Sequence, residues 1–492
     1  MFKKVLVANR GEIAVRIIRA CRDLGVATVA VYSDADRGAL HVRFADEAYR
    51  LGPAPSSESY LKVGAIVDVA RRTGADAVHP GYGFLSENPH FADACAAAGV
   101  AFVGPPPTAM RALGEKTAAR RLARDAGVPT VAGLMQATTE ASQLRRDAAA
   151  IGLPVVLKAA AGGGGKGMRV VQDERELDGA IRNAMGEAAS AFGDASLYLE
   201  RYVAQARHIE VQFVADGRGG IAWLGERDCS LQRRHQKLIE ESPGPSVDER
   251  LREQLGEAAV RLARASGYVN AGTAEFLVDV NGAFYFLEVN ARLQVEHPVT
   301  EAVTGIDLVA LQLRIAAGEP LPFTQDDVVR RGHAIECRIS AEDPERGFVP
   351  SAGLIPFVRE PAGPGIRVDS ALYPGAVVPT EYDPLLAKLI AHGRDRAEAI
   401  ARMRRALRET VVAGVRTTIP FHEFALAEPD FVRGAYDTEY VAAHWPSPTP
   451  AQPSDGVAAA AVVATLARRR HAEPSTTDAS TWRRSAREDA LR

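Results

Sequence analysis

The sequence predicts a mixed α/β and α+β protein, in which a doubly wound parallel-sheet domain precedes domains built on longer strands. Two observations predict this class. Residues 5–31 alternate an apolar strand, a helical apolar stripe and a second apolar strand, which is how a parallel β-α-β sheet begins. Residues 204–330 contain longer apolar strands, and two of these flank an Asn-Gly turn at Asn281 and Gly282, as in a β-hairpin.

The N-terminal elements follow from residue spacing. Residues 5–8 are predicted to form a strand and 9–11 a turn, followed by a helix that Gly25 ends before a second strand at 26–31. The turn contains one glycine and not the G-x-G-x-x-G pattern, so a dinucleotide site is not indicated. A later strand ends near His79 in a glycine turn, a place where open sheets bind ligands.

Changes in composition and pattern divide the chain into four predicted segments. Residues 1–114 form a first domain, 115–333 a second with a smaller α+β unit at about 131–203, and 334–445 a third. Residues 446–492 begin with a proline-rich stretch and continue rich in Ala, Arg and Ser, which predicts a flexible tail with a possible helix at 457–470.

Composition excludes several classes of protein. Apolar residues make up 47% of the 492 residues and charged residues 25%, which is ordinary for a globular chain. A net charge of −3 gives no reason to expect nucleic acid. No apolar run reaches the ~18 residues of a membrane span, and the N-terminus lacks a signal peptide. The four cysteines are far apart, which predicts a reduced, cytoplasmic protein.

A glycine-rich stretch follows a predicted strand that ends in Lys158. Residues 162–165 are four consecutive glycines, and Lys166 comes next. Adjacent glycines let backbone N–H groups approach phosphate oxygens, and the lysines add positive charge. Because the G-x4-G-K-[ST] pattern is absent, this is not a P-loop. We interpret it as a mobile flap over a nucleotide; a flexible hairpin is the alternative.

Two charged motifs suggest a metal beside an anion. Residues 230–237 concentrate cationic and titratable groups, which favours an anion-binding wall over a solvated face. Glu275 and Glu288 should lie on neighbouring strands of the predicted hairpin, where they would repel each other unless a divalent cation lies between them. Mg²⁺ that bridges ATP phosphates is the natural occupant.

The segment 284–300 is the most informative in the chain. Glu288 interrupts an apolar strand pattern, and four polar residues then follow it at intervals of two: Asn290, Arg292, Gln294 and Glu296. In an extended segment, this spacing points all five side chains to one face. Two acids, two amides and a guanidinium on one face suit a metal held by hard oxygens beside an anionic substrate.

Together these motifs resemble biotin carboxylase, an ATP-grasp enzyme and the ATP-dependent component of biotin-dependent carboxylases. The resemblance runs from about residue 1 to 445 and includes Ala-Asn-Arg-Gly-Glu-Ile-Ala, His-Pro-Gly-Tyr-Gly-Phe, Glu-Arg-Asp-Cys-Ser, Arg-Arg-His-Gln-Lys and Glu-Cys-Arg-Ile-Ser. It implies an ATP-grasp fold with N- and C-terminal biotin carboxylase domains and a mobile glycine-flap lid. Flap motifs recur across ATP-grasp enzymes, whereas the 292–296 segment and Arg338 distinguish this family.

The resemblance also assigns roles to matching positions. The ATP-binding positions are Lys116, Lys158, Gly164, Gly165, Glu200, Arg201, Tyr202, Val203, His208, Gln232 and His235. Arg201 stands where relatives often have lysine, and its contact is expected through the backbone. The positions for Mg²⁺ or Mn²⁺ are Glu275, Glu288 and Asn290. Bicarbonate is expected at Lys237, Arg292 and the backbone of Gln294 and Val295. Glu296 is the expected general base, Arg338 the group that stabilises the biotin enolate, and Tyr82 and Glu87 line the biotin side.

The implied reaction is ATP-dependent carboxylation of biotin on a separate biotin carboxyl carrier protein, with bicarbonate as carboxyl source and carboxyphosphate as intermediate. It is the first half-reaction of an acyl-CoA carboxylase, and malonyl-CoA formation for fatty acid synthesis is the expected use. The chain lacks an Ala-Met-Lys-Met-like motif and an acyl-CoA-binding half, so the carrier and the carboxyltransferase are expected to be separate chains. The final acceptor stays open among acetyl-CoA, propionyl-CoA, a branched acyl-CoA and pyruvate.

Two alternatives and one assembly prediction accompany this hypothesis. A carbamoyl-phosphate synthetase also makes carboxyphosphate, but its large chain has two such halves and one copy of each motif is present here. A non-catalytic regulatory subunit would not need the intact set of acids and cations. Members of the family commonly dimerise through the first and third domains, and Arg16 and Arg19 match that interface, which predicts a homodimer; a solvated helix face is the alternative.

Overall fold

The computed structural model describes residues 1–133, 136–160 and 168–445. Gly164, Gly165, the proline-rich stretch and the possible helix at 457–470 therefore lie outside the described residues. Residues 1–445 form one compact unit. Among the residues described, no helix is long and apolar enough to cross a membrane.

The first part of the chain is a parallel, doubly wound sheet, as predicted. Its elements in order are β1 (Lys4–Val7), α1 (Gly11–Asp23), β2 (Ala27–Ser33), α2 (Leu40–Phe44), β3 (Glu47–Gly52), α3 (Val63–Thr73), β4 (Ala77–His79), α4 (Pro89–Ala97), β5 (Ala101–Phe102) and α5 (Pro107–Gly114). The strand order is β3-β2-β1-β4-β5, and all pairs are parallel. The order reverses between β1 and β4, so the loops after these two strands meet at the switch point.

A small antiparallel sheet follows. Helix α6 (Lys116–Asp125) leads to α7 (Ala141–Ile151), β6 (Val155–Ala159), β7 (Arg169–Val171), α8 (Glu174–Phe192) and β8 (Leu197–Arg201). The strand order is β7-β6-β8. Its apolar face packs against α7 and α8 in a separate core that includes Leu144, Leu157, Ile181 and Leu199. The α+β unit predicted at about 131–203 has this sheet at its centre.

The rest of the described chain is built around one large antiparallel sheet. Its helices and strands in order are β9 (Arg207–Ala215), β10 (Ile221–Arg233), β11 (Gln236–Ser242), α9 (Glu249–Ala265), β12 (Asn270–Val278), β13 (Phe284–Asn290), α10 (His297–Thr304), α11 (Leu308–Ala316), β14 (His333–Ser340), β15 (Glu342–Asp343), β16 (Val349–Pro350), β17 (Gly353–Ile355), β18 (Val358–Arg359), β19 (Ile366–Ser370), β20 (Ala376–Val378), β21 (Leu385–Gly393), α12 (Arg396–Glu409), β22 (Val411–Val412), α13 (Ile419–Ala427), α14 (Pro429–Arg433) and α15 (Tyr440–His444). Eight of these strands form the large sheet, in the order β13-β12-β9-β10-β11-β14-β21-β19. The sheet therefore continues across residue 333, where the sequence pattern predicted a change of segment.

The two faces of this sheet differ. Apolar side chains of β9 and β12 pack against α9, and those of β14 and β21 pack against α12. On the opposite face, Val299 and Val303 of α10 pack with Ala334 and Ile390 of β14 and β21, and Val214, Ala222 and Ala271 at the other end of the sheet share a core with α11. Between these two apolar regions the face carries buried polar and charged residues, which are described below.

One local prediction was wrong. The segment 288–296 is not one extended run, because β13 ends at Asn290 and the Ala291 N–H donates to Glu87 Oε1 at 2.9 Å instead of continuing the ladder. Glu296 is the residue before α10, which has proline in its first turn. Of the two arginines expected at a dimer interface, Arg16 is buried and is held within the chain by Glu301 (2.9 Å) and Asp307 (2.7 Å), whereas Arg19 is exposed.

Candidate active site

A row of charged residues crosses four neighbouring strands. Glu288 lies opposite Glu275, Glu275 opposite Glu210, and Glu210 opposite Arg227. Directly opposed side chains in antiparallel strands have Cβ atoms only about 4.5–5.5 Å apart. The pairing of Glu275 with Glu288 confirms the predicted hairpin, and Glu210 adds a third carboxyl group that the sequence analysis did not single out.

Lys237, on the next strand β11, contacts several of these acids at once. Its Nζ donates to Glu210 Oε2 (2.5 Å), Glu275 Oε1 (2.9 Å), Gln294 Oε1 (3.3 Å) and Glu296 Oε1 (2.5 Å). Burial disfavours the charged amine, but the three carboxylates outweigh it and hold the pKa of Lys237 well above its usual range. The site thus contains a permanently charged ammonium group surrounded by acids.

Glu296 is fully buried and ionised. It accepts from Lys237 on one oxygen and from Arg338 Nη2 at 2.9 Å on the other. Burial opposes ionisation, yet Lys237 and Arg338 keep the pKa of Glu296 far below its usual range. Arg338 also donates through Nε to Glu240 Oε1 at 2.5 Å. A carboxylate held between two cations in a dry pocket can accept a proton from a bound acid.

The Arg292 guanidinium is positioned by the first domain. Glu87, in the loop between β4 and α4, accepts from Arg292 Nε (3.0 Å) and from the Ala291 N–H (2.9 Å). Arg292 Nη2 also donates to Asn290 Oδ1 at 2.9 Å. The family resemblance implies that Glu87 lines the biotin side, whereas the structure places its carboxylate against Arg292.

The predicted metal ligands are close together and chemically suited to Mg²⁺. Glu275 is held by Asn290 Nδ2 at 2.8 Å and by His208 Nε2 at 2.9 Å. Burial, followed by the charge of Glu275, raises the pKa of Glu288, whose carboxylate has no hydrogen-bond or ion-pair partner within residues 1–133, 136–160 and 168–445. Two opposed carboxylates, one of them without a cation, and an amide oxygen form the hard-oxygen set that Mg²⁺ prefers.

The predicted nucleotide residues come from the small sheet and its neighbours. Lys158 on β6 is paired with Glu200 on β8, and Glu200 is also paired with Arg120 at 2.6 Å. Burial opposes ionisation of Glu200, but Lys158 and Arg120 lower its pKa. Lys116 begins α6, and burial lowers its pKa, with Glu288 as the main opposing charge. These contacts connect the small sheet to the metal side of the large one.

The remaining predicted nucleotide positions are spread more widely. Arg201 is exposed, and its N–H donates to Ala132 O at 2.8 Å. The Tyr202 hydroxyl donates to Glu439 at 2.8 Å, and Val203 lies just after β8, half-buried. Gln232 is buried on β10, whereas His235 is exposed in the turn between β10 and β11.

The predicted anion-binding wall at 230–237 is divided in the structure. Gln232 and Lys237 are paired across β10 and β11, and Lys237 reaches the acids. Arg233 instead donates to Gly347 O at 2.8 Å and lies over the Phe348 ring. The prediction of a single wall was therefore wrong, because alternation and the turn send its members in different directions.

The biotin-side residues meet at the switch point of the parallel sheet. Tyr82 follows β4, and its hydroxyl donates to Glu12 of α1. Lys388 of β21 is fully buried; its Nζ lies 3.2 Å from Glu12 Oε1 and donates to Val295 O at 2.9 Å. Lys388 thus ties the first domain to the peptide group that joins Val295 to Glu296.

Sequence reasoning missed Glu210, Glu12, Lys388, Glu240 and Glu336. Glu210 had a detectable signal, because polar residues at 208, 210 and 212 alternate with apolar ones along one strand. For Glu240, Glu336 and Lys388 the signal was an ionisable residue inside an otherwise apolar strand, and for Glu12 an ionisable residue at the start of the apolar helix α1. Their partners lie far away along the chain, so the sequence did not show what they contact.

Comparison with known proteins agrees with this geometry. Residues 1–110 match the family described as biotin carboxylase N-terminal domain, 115–324 the carbamoyl-phosphate synthase L chain ATP-binding domain, and 336–443 the biotin carboxylase C-terminal domain. The chain is 53% identical over 445 residues to biotin carboxylase 1 of Bacillus subtilis, a match that covers 90% of this chain and 98% of the relative. It is 52% identical over 441 residues to a pyruvate carboxylase subunit of Methanothermobacter thermautotrophicus, a match that covers 90% of each.

A solved structure is also similar. It is the biotin carboxylase domain dimer of 2-oxoglutarate carboxylase from Hydrogenobacter thermophilus, in complex with MgADP, ADP and bicarbonate. The TM-score is 0.89 at 47% identity, and the match covers 92% of this chain and all of that one. From the family matches, the identity and the shared fold, the chain belongs to the biotin carboxylase family of ATP-grasp enzymes, which are ATP-dependent ligases.

Proposed function

We propose that this chain uses ATP and bicarbonate to carboxylate biotin carried on a separate carrier protein. One observation carries the proposal: Glu296 is fully buried and lies between Lys237 and Arg338, beside the opposed pair Glu275 and Glu288. A proton acceptor and two cations next to a metal-suited acid pair meet the needs of phosphoryl transfer to bicarbonate.

The nucleotide is held on the side of the two lysines. Lys116 and Lys158 would neutralise phosphate oxygens, and Gly164 and Gly165 would cover them with backbone N–H groups. Glu275, Glu288 and Asn290 would hold Mg²⁺, which when bound neutralises charge on the phosphates. The Glu288 carboxylate, which has no hydrogen-bond or ion-pair partner in the described part of the chain, supports this assignment.

Bicarbonate is held next to this charge. Arg292, fixed by Glu87, and Lys237 would bind the anion together with the backbone at Gln294 and Val295. Glu296 would accept the bicarbonate proton as an oxygen of bicarbonate attacks the terminal phosphorus and ADP leaves. The product of this step is carboxyphosphate.

Biotin is carboxylated in the second step. Carboxyphosphate breaks down to CO2 and phosphate, and the phosphate takes the proton from the ureido nitrogen of biotin, which then bonds to CO2. Arg338 would stabilise the negative charge on the biotin oxygen, a contribution of about 3 kcal/mol for one charged donor in a dry site. Tyr82 would line the biotin side from the switch point.

The finer assignments form part of the same proposal. We place the chain in an acyl-CoA carboxylase that makes malonyl-CoA for fatty acids, with a separate carrier and carboxyltransferase, although the relatives also include pyruvate and 2-oxoglutarate carboxylases. We also propose three domains, with limits at 1–114, 115–333 and 334–445, followed by a tail at 446–492. All four cysteines are buried and unpaired, which supports a cytoplasmic location.

The activity test uses the purified full chain with Mg-ATP, bicarbonate and free biotin. ADP release should be faster with biotin than without it, and omission of bicarbonate should abolish the stimulation. Nucleotide binding without any biotin stimulation would instead favour a non-catalytic subunit. Formation of carbamoyl phosphate from an ammonia donor would favour the synthetase alternative.

The proposed homodimer has its own test. Arg19 is exposed on α1 and remains available at the predicted interface, whereas Arg16 is engaged within the chain. Light scattering at micromolar concentration should give twice the chain mass of 52.6 kDa. A monomer mass would contradict the dimer, and Arg19→Glu should shift the mass towards the monomer if the interface is where the family places it.

A further inference from the structure

Two carboxyl groups face each other beneath Arg338. Glu240 on β11 and Glu336 on β14 are directly opposed in the antiparallel register. Both are completely buried. They lie on the face of the sheet that carries Arg338, two residues along the strand from Glu336, so both acids lie on the biotin side of the site.

Hydrogen bonding at this pair is incomplete. One oxygen of Glu240 accepts from Arg338 Nε, and its other oxygen has no partner among the residues that the structure describes. Neither oxygen of Glu336 has a partner within the described parts of the chain. Buried polar groups are nearly always paired, and an isolated buried carboxylate is strongly disfavoured.

The charges on the surrounding elements do not neutralise both acids. Arg338 already donates to Glu240 and Glu296. Lys388 of β21 is held by Glu12 and the Val295 carbonyl. Lys237, whose charge lowers the pKa of Glu240, is held by three other acids: Glu210, Glu275 and Glu296. Glu296, the residue before α10, adds a negative charge that raises the pKa of both acids.

We propose that Glu240 and Glu336 hold one proton between them at neutral pH and act as positioning residues for Arg338. Glu336 is the neutral acid, and its O–H is directed at the free oxygen of Glu240, so the Glu240 charge remains available to the guanidinium. The inference rests on the proposed function, because the positioning role of the pair depends on Arg338 acting on biotin.

The titration of the two groups agrees with this arrangement. Burial, together with the charge of Glu240, raises the pKa of Glu336 well above its usual range. Burial also raises the pKa of Glu240, to about 7. If the proton is lost, two opposed carboxylates repel each other and the Nε contact that holds Arg338 is disturbed.

Infrared difference spectroscopy tests the proton directly. The C=O stretching band of a protonated buried carboxyl group should be present in the wild-type chain at pH 7 and absent in Glu336→Gln. Glu241→Gln is the matched control, because Glu241 is equally buried on β11 but bonds to His333, Arg396 and Tyr436 on the other face of the sheet. That control should keep the band, and absence of the band in wild type would overturn the inference.

Kinetics test the positioning role. Because Gln resembles the neutral acid, Glu336→Gln should keep biotin-dependent turnover within about twofold at pH 7 and should be less sensitive than wild type to rising pH. Glu240→Gln replaces a charged acceptor with a neutral one and should lower biotin-dependent turnover on the order of tenfold, with ATP affinity unchanged. Equal losses in the two variants would overturn the inference.

The two readouts separate this inference from the proposed function. If wild type showed no biotin stimulation, the proposed function would fail, but the carboxyl band would still decide whether the pair holds a proton. If stimulation were present and the band absent, only the inference about Glu240 and Glu336 would fail. Thermal unfolding of each variant in the presence of ATP checks that the chain is folded.

Discussion

Replacement of Glu296 by Gln separates the chemistry of bicarbonate from nucleotide binding. The substitution keeps the size of the side chain but removes the proposed base and the charge between Lys237 and Arg338. A general base contributes ~10² to 10⁴ in rate. The two charge-assisted contacts, at 2.5 and 2.9 Å, also become weaker. Biotin-dependent kcat should therefore fall at least ~10²-fold, which corresponds to about 2.7 kcal/mol.

The assay is steady-state ADP release with and without biotin, combined with ATP titration. ATP affinity should change little, because the described contacts of Glu296 include neither Lys116 nor Lys158. Glu301→Gln is the matched control, since Glu301 is a buried acid of α10, the helix that follows Glu296, and is paired with Arg16 and Arg367. It should lose stability but keep the chemistry. A Glu296→Gln variant with wild-type kcat, or with ATP binding lost, would refute the reasoning.

Three further predictions concern the metal, biotin and pH. Glu288→Gln should weaken Mg²⁺ dependence and lower every ATP-dependent activity at least ~10-fold, measured by Mg²⁺ titration of ADP release; unchanged Mg²⁺ dependence would exclude Glu288 as a ligand. Arg338→Gln should spare ATP binding but lower biotin-dependent turnover ~10²-fold or more, and a variant that loses both would contradict its assignment to biotin. The pKa of Glu241 is about 2 because His333 and Arg396 outweigh the effect of burial. The stabilisation that this lowered pKa provides is complete above the unfolded value of ~4.3 and is lost as pH falls towards 2. Glu241→Gln should therefore reduce the unfolding free energy by about 3 kcal/mol at pH 7 and by about half as much at pH 3, measured by urea titration.

Local patterns predicted the parts of the fold that depend on neighbouring residues. Helix α1 begins at Gly11, and Gly25 follows its end with φ +71°, as the apolar spacing and the glycine indicated. The hairpin of β12 and β13 places Glu275 opposite Glu288 because the turn fixes the register. The prediction failed at Asn290, where Glu87 from another domain takes the N–H that would have continued the strand.

The sequence by itself determined the family, the elements and the chemical types of the site: acids on a hairpin, a lysine on β11 and arginines at 292 and 338. Only the tertiary structure decided which charges neutralise each other. Lys237 and Glu296, which are in contact, are 59 residues apart in the sequence, and Lys388 and Glu12 are 376 residues apart. No pattern of neighbouring residues therefore predicts either pair. A buried charge is stable only next to its partner, and strand register and domain contact choose that partner.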